Sequence, residues 1–98
     1  MFRQGDIFLI TTNIIPPTAL KHEDGVLATG EATGHKHQMV SNAFVWIDTD
    51  STKYVEVYGK DAQLCHEEHG PIMLPGPAVY RMIRQRVYRP KAFIYVED

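Results

Sequence analysis

Lys53-Tyr54-Val55-Glu56-Val57-Tyr58, followed by Gly59-Lys60-Asp61, decides the class of fold. β-Formers alternate with charged residues, the pattern of a strand with one face buried and the other in water. A glycine and two polar residues then turn the chain. Outward from this stretch the same alternation of strands and turns recurs. Ala62 to Glu67 follows as a strand, and Phe44-Val45-Trp46-Ile47 precedes it behind the turn Asp48-Thr49-Asp50-Ser51. Ser41-Asn42 separates that strand from His37-Gln38-Met39-Val40. Val26 to Glu31 is extended, and residues 18–24 read as a polar loop. Ile7-Phe8-Leu9-Ile10-Thr11-Thr12 forms a buried strand, with Gly5-Asp6 as a turn before it and Pro16-Pro17 as a break after it. Toward the C-terminus come a short strand ending at Pro75-Gly76-Pro77, a long candidate from Val79 to Tyr88, and a final strand at Phe93-Ile94-Tyr95-Val96. A helix over 78–86 is the weaker alternative to that long strand. About 7–9 short strands with such regular turn signals predict an all-β fold, a small barrel or sandwich. The whole chain, 1–98, reads as one domain.

The composition supports this class and narrows function. A hydrophobic fraction of 44% and a charged fraction of 22% suit a soluble globular chain. The net charge of -2 argues against nucleic-acid binding over the whole surface. The charge is uneven: Arg81, Arg84, Arg86, Arg89 and Lys91 make up half of the 10 cationic side chains. Tyr80, Tyr88 and Tyr95 interleave with them, a mixture that can hold phosphates and stack bases. Arg84 and Arg86 share a strand face, so they and Tyr80 are the candidate substrate-binding residues. The plainer reading is a solvated edge whose positive charge discourages strand pairing. The single cysteine, Cys65, cannot form an internal disulfide, and no basic segment followed by an apolar run opens the chain. A cytoplasmic setting is therefore expected, with no membrane span.

Four of the five histidines form two pairs, His35/His37 and His66/His69, each bounded by glycine and close to acids. Imidazole is the commonest metal-ligating side chain and the one that titrates near neutrality. On a regular strand Glu31, Thr33, His35 and His37 face one way, which sets a carboxylate beside two imidazoles. His66 and His69 face opposite ways unless a bulge or strand end turns both inward. A site of His35, His37, His66 and His69 would suit a divalent transition metal such as Zn, Fe, Mn, Ni or Co. Glu31, Glu67 and Glu68 are then reserve ligands or catalytic bases. His22 reads as a loop residue, Cys65 as structural, and Trp46 as core.

Gly30-Glu31-Ala32-Thr33-Gly34-His35-Lys36-His37, His66-Glu67-Glu68-His69-Gly70-Pro71-Ile72, Leu74-Pro75-Gly76, Tyr80-Arg81, Gln85-Arg86 and Tyr88 resemble a family of small uncharacterised bacterial and phage proteins. Arg3-Gln4-Gly5-Asp6 fits the same family. The resemblance spans nearly the whole chain and implies no established activity. Pro75-Gly76-Pro77-Ala78 departs from the Pro-Pro-Gly turn expected there. A broader architectural resemblance is to cupins, metal-binding β-barrels whose first motif pairs His-x-His with a later glutamate. Here Glu31 precedes the pair instead, and Gln38 to Ser41 supply no glutamate.

Three functions follow as expectations. The first is a metal-binding β-barrel acting on an anionic or phosphate-containing substrate. The second is metal-free acid–base chemistry on a phosphodiester by the paired histidines. The third is an accessory binding module without catalysis. Exposed strand edges on a small domain also suit a homodimer.

Overall fold

The computed structural model describes residues 1–30, 34–84, 86–89 and 92–95, the last two ranges by their backbone alone. Twelve strands and no helix lie among the described residues. They are β1 (Phe2–Gln4), β2 (Ile7–Thr12), β3 (Leu20–His22), β4 (Val26–Thr29), β5 (Lys36–Met39) and β6 (Ala43–Ile47). Then come β7 (Lys53–Val57), β8 (Asp61–Cys65), β9 (Ile72–Pro75), β10 (Ala78–Arg84), β11 (Arg86–Arg89) and β12 (Ala92–Tyr95). A six-stranded sheet runs β1-β2-β10-β7-β6-β3 and a four-stranded sheet runs β4-β5-β8-β9, while β11 and β12 pair with each other. The pairings are antiparallel throughout. The two larger sheets make an open sandwich rather than a closed barrel.

The alternation read from the sequence sets what each sheet buries. Ile7, Leu9, Val45, Val55, Val57 and Tyr80 come from the six-stranded sheet. Leu27, Met39, Ala62, Leu64 and Leu74 come from the four-stranded sheet and complete one core. Each fully buried Leu or Ile side chain contributes about 1.5–3 kcal/mol of transfer free energy. Tyr80 carries a polar atom into this core, and its hydroxyl donates to Pro75 O at 2.6 Å, so the group is satisfied where it is buried.

Four expectations change. Residues 20–22 form the edge strand β3 although Leu20, Lys21 and His22 are all exposed, because backbone pairing with β6 suffices there. The strand expected from Val79 to Tyr88 divides into β10 and β11, which belong to different sheets, and 78–84 is strand rather than helix. Trp46 is half-buried outside the core: Val45 takes the inward position, and the Trp46 indole donates to Glu56 Oε1 at 3.1 Å. Phe2–Gln4, without a strand signal of its own, pairs with β2 as the additional edge strand β1.

Register brings distant residues together at one end of the sandwich. Gln38 pairs with Cys65, so the histidine beside each lies at the same level of the four-stranded sheet. Ile7 pairs with Arg84, which sets the β1–β2 turn beside the end of β10. That turn uses Gly5 at φ 58°, a conformation that favours glycine. Gln4 then ties the two sheets together by donating from Nε2 to Leu64 O at 2.9 Å and Gly70 O at 3.0 Å.

Candidate functional site

The four paired histidines converge. Ring centroids are 4.4 Å apart for His37–His66, 4.6 Å for His66–His69, 5.5 Å for His35–His66 and 6.2 Å for His37–His69. Strand ends explain how. β8 finishes at Cys65, so His66 to His69 lie in a turn and escape the alternation that would part them. The turn folds onto His66: its Nδ1 accepts the backbone N–H of Glu68 at 3.0 Å and of His69 at 3.3 Å. Glu67 joins the two histidine segments, because its Oε1 and Oε2 accept the Lys36 N–H at 3.1 and 3.0 Å. His35 sits at the rim, with Nδ1 3.5 Å from the mostly exposed Glu68 carboxylate. Nε2 of His69 is buried with no hydrogen-bond partner among the described residues.

His37 is the fully buried member, on β5. Its Nδ1 is 2.9 Å from Gln4 Oε1 and its Nε2 is 3.2 Å from Asp6 Oδ1. The amide of Gln4 has one orientation here, since its Nε2 donates to two carbonyls. Gln4 Oε1 is therefore an acceptor, and His37 Nδ1–H must be the donor. A neutral His37 then has a bare lone pair on Nε2, aimed at a carboxylate oxygen. Asp6 is itself fully buried, and its Oδ2 accepts from Arg84 Nε at 2.8 Å. Arg84 also donates to Thr29 O.

Burial lowers the pKa of His37 below its ordinary 6.5, and the nearby His66 and His69 lower it further. The charge of Asp6 and its hydrogen bond pull the other way without reversing the result. Native His37 thus binds its second proton less readily than the unfolded chain does. That contribution to stability is present above about pH 6.5 and is lost as the pH falls through the lowered native value. In chelator, the unfolding free energy from urea titration should fall between pH 7 and pH 5, by at most about 1.4 kcal/mol per pH unit for one proton. His37→Gln should flatten that dependence. An equally steep dependence in the variant would assign it to other groups.

The sequence-predicted residues divide. His35, His37, His66 and His69 come together. Glu67 braces the two loops and Glu68 lies at the rim. Glu31 lies outside the described residues, as does the side chain of Arg86. Tyr80 is a core residue bonded to Pro75 O, 2 % exposed, which overturns its expected place at a substrate surface. Arg84 lies beside the cluster, bound to Asp6. Two residues were missed. Asp6 reads in sequence as a turn residue and Gln4 as nothing in particular. The only signal for either was the opening Arg3-Gln4-Gly5-Asp6 of the family resemblance. Among the described residues, no three of His, Cys, Asp and Glu form a ready-made metal-holding set.

No described helix is long and apolar enough to cross a membrane. A family model described as a domain of unknown function (DUF8820) matches residues 3–85. Neither a curated protein nor a solved structure matches the chain.

Proposed function

Because the chain belongs to this family of unknown function, its chemistry must be read from the site, and we propose that the histidine cluster binds a divalent transition metal ion. One observation carries the reading: His37 Nε2 faces Asp6 Oδ1 across 3.2 Å, and in the neutral ring, with Nδ1–H given to Gln4, that nitrogen is a bare lone pair. A lone pair aimed at a buried carboxylate is repulsive unless a cation or a proton lies between them. Two ligand atoms about 2.1 Å from one ion are about 3.0 Å apart at right angles and about 3.4 Å apart at the tetrahedral angle. The observed spacing falls between these values. Gln4 supplies the outer partner that metal-binding histidines normally have: it accepts Nδ1–H, fixes the tautomer and leaves Nε2 free to ligate.

His37 and Asp6 are thus the fixed half of the site. His69 is the third ligand, brought in by side-chain rotation, since its buried Nε2 otherwise has no partner among the described residues. His35 closes the shell from the rim. His66 can join only by releasing the two backbone N–H groups from Nδ1. When bound, the metal would polarise a ligand oxygen or activate a water. Arg84 balances part of the charge of Asp6 and holds its carboxylate in place.

A proton in the same gap would support the metal-free acid–base reading. Burial and the neighbouring His66 and His69 weigh against that proton, while Asp6 favours it. Zinc or cobalt(II) titration of chelator-treated protein separates the two. We expect about one ion per chain, loss of binding in His37→Gln and His69→Gln, and retention in His22→Gln. Absence of binding by zinc, cobalt(II), nickel, manganese and iron(II) would leave the proton reading standing.

A further inference from the structure

A second feature lies beside the cluster and concerns anions. β10 pairs with β7 only from Ala78 to Arg81, because β7 begins at Lys53. Beyond that point a cleft of about 510 Å³ opens between β10, the Asp50–Lys53 turn and the edge strand β4. Lys53, Arg81 and Arg84 all line it. Three cations on one cleft are unexpected in a chain of net charge -2.

Two of these cations are held in place. Lys53 Nζ donates to Leu27 O at 2.6 Å, and Arg84 donates to Thr29 O, both carbonyls lying on β4. The bonds point the two long side chains across the cleft and reduce the entropy lost on ordering them round a ligand. Arg81 is exposed and has no hydrogen-bond or ion-pair partner among the described residues. Burial and the neighbouring charge of Arg84 push the pKa of Lys53 down, with Asp24 opposing. Lys53 and Arg84 therefore repel each other, with Asp24 and the Asp6 partner of Arg84 offsetting part of this, and a bound anion relieves what remains. Asp50 also lines the cleft, and its Oδ1 accepts the Thr52 N–H at 2.9 Å.

We propose that this cleft binds the phosphate group of a small phosphorylated molecule, held by Lys53, Arg81 and Arg84, with Ser51 and Thr52 on the same wall. Phosphate suits the site because its several oxygens can be shared among three cations, with arginine supplying planar donor pairs. The assignment needs no metal, so it stands or falls apart from the metal reading.

The test is titration of chelator-treated, isotope-labelled protein with inorganic phosphate, followed by amide NMR at constant ionic strength against chloride. Saturable shifts at Ser51, Thr52, Lys53 and Arg81 are expected. Arg81→Gln, an exposed position, should keep the fold and weaken binding about tenfold. Asp50→Asn retains the acceptor for Thr52 N–H, removes a negative charge from the lining and should tighten binding. No saturable shift up to about 50 mM phosphate, far above the millimolar range, would overturn the proposal. So would shifts centred elsewhere, or an affinity unchanged in Arg81→Gln.

Discussion

Asp6→Asn will fold in chelator with a stability within about 1 kcal/mol of the parent, yet lose metal affinity by at least about 100-fold. The reason lies in the tautomer of His37. With Nδ1–H committed to Gln4, the neutral ring presents a lone pair at Nε2. Asparagine keeps the shape of Asp6 and can turn Nδ2–H toward that lone pair, while its Oδ1 still accepts from Arg84. The substitution replaces a repulsive contact by a hydrogen bond and removes the anionic ligand. Without metal the gain and the loss are of similar size. With metal the parent gains RT ln(1 + [L]/Kd), about 4 kcal/mol at a thousandfold excess over Kd, and the variant does not. Urea unfolding with and without saturating zinc measures both terms.

The acid–base alternative predicts the opposite pattern. If His37 were an imidazolium facing Asp6, asparagine would strip a buried cation of its partner. That loss should cost several kcal/mol without metal. Equal metal affinity in the two proteins would remove Asp6 from the ligand set. A large loss of stability in chelator would favour the proton. Asp6→Ala is less informative, because it leaves the Arg84 guanidinium without its buried carboxylate and should cost about 3–5 kcal/mol on either reading.

Gly76→Ala is expected to have the largest effect on stability alone. Gly76 links β9 in one sheet to β10 in the other, and its N–H donates to Lys60 O at 2.7 Å. A Cβ there would collide with Val57 Cγ1 and with the backbone oxygen of Gly59. Neither can yield cheaply: Val57 is a core residue 1 % exposed, and the carbonyl belongs to the turn before β8. Overpacking a well-filled site costs about 1–3 kcal/mol, and collision with backbone belongs at the upper end. At about 3 kcal/mol the thermal midpoint should fall by roughly 12–24 °C. Gly70→Ala is the control, since a Cβ there meets nothing within 4 Å. Similar midpoints for the two variants would mean that the sheet junction adapts more easily than its packing implies.

Much of the architecture could be read locally. Val55 and Val57 face inward with Glu56 between them because period-two alternation and a single buried face go together. Leu9 follows the same rule on β2. Trp46 escaped it: a large aromatic suggests core, yet its neighbour Val45 holds the inward position and Glu56 satisfies the indole from the outer face. β3 escaped for another reason. Its residues are exposed and carry no buried-face pattern, so only pairing with β6 defines it.

The site divides in the same way. The sequence by itself determined the strand-and-turn alternation and the two histidine pairs, because side-chain chemistry, turn residues and a two-residue period are local properties. Only the tertiary structure decided that the pairs meet, that Gln4 and Asp6 hold His37, and that Tyr80 belongs to the core. Gln4 reaches Leu64 and Gly70 across 60 and 66 residues, and Asp6 meets Arg84 across 78. Strand register and the packing of the two sheets set these contacts, and no local pattern encodes them.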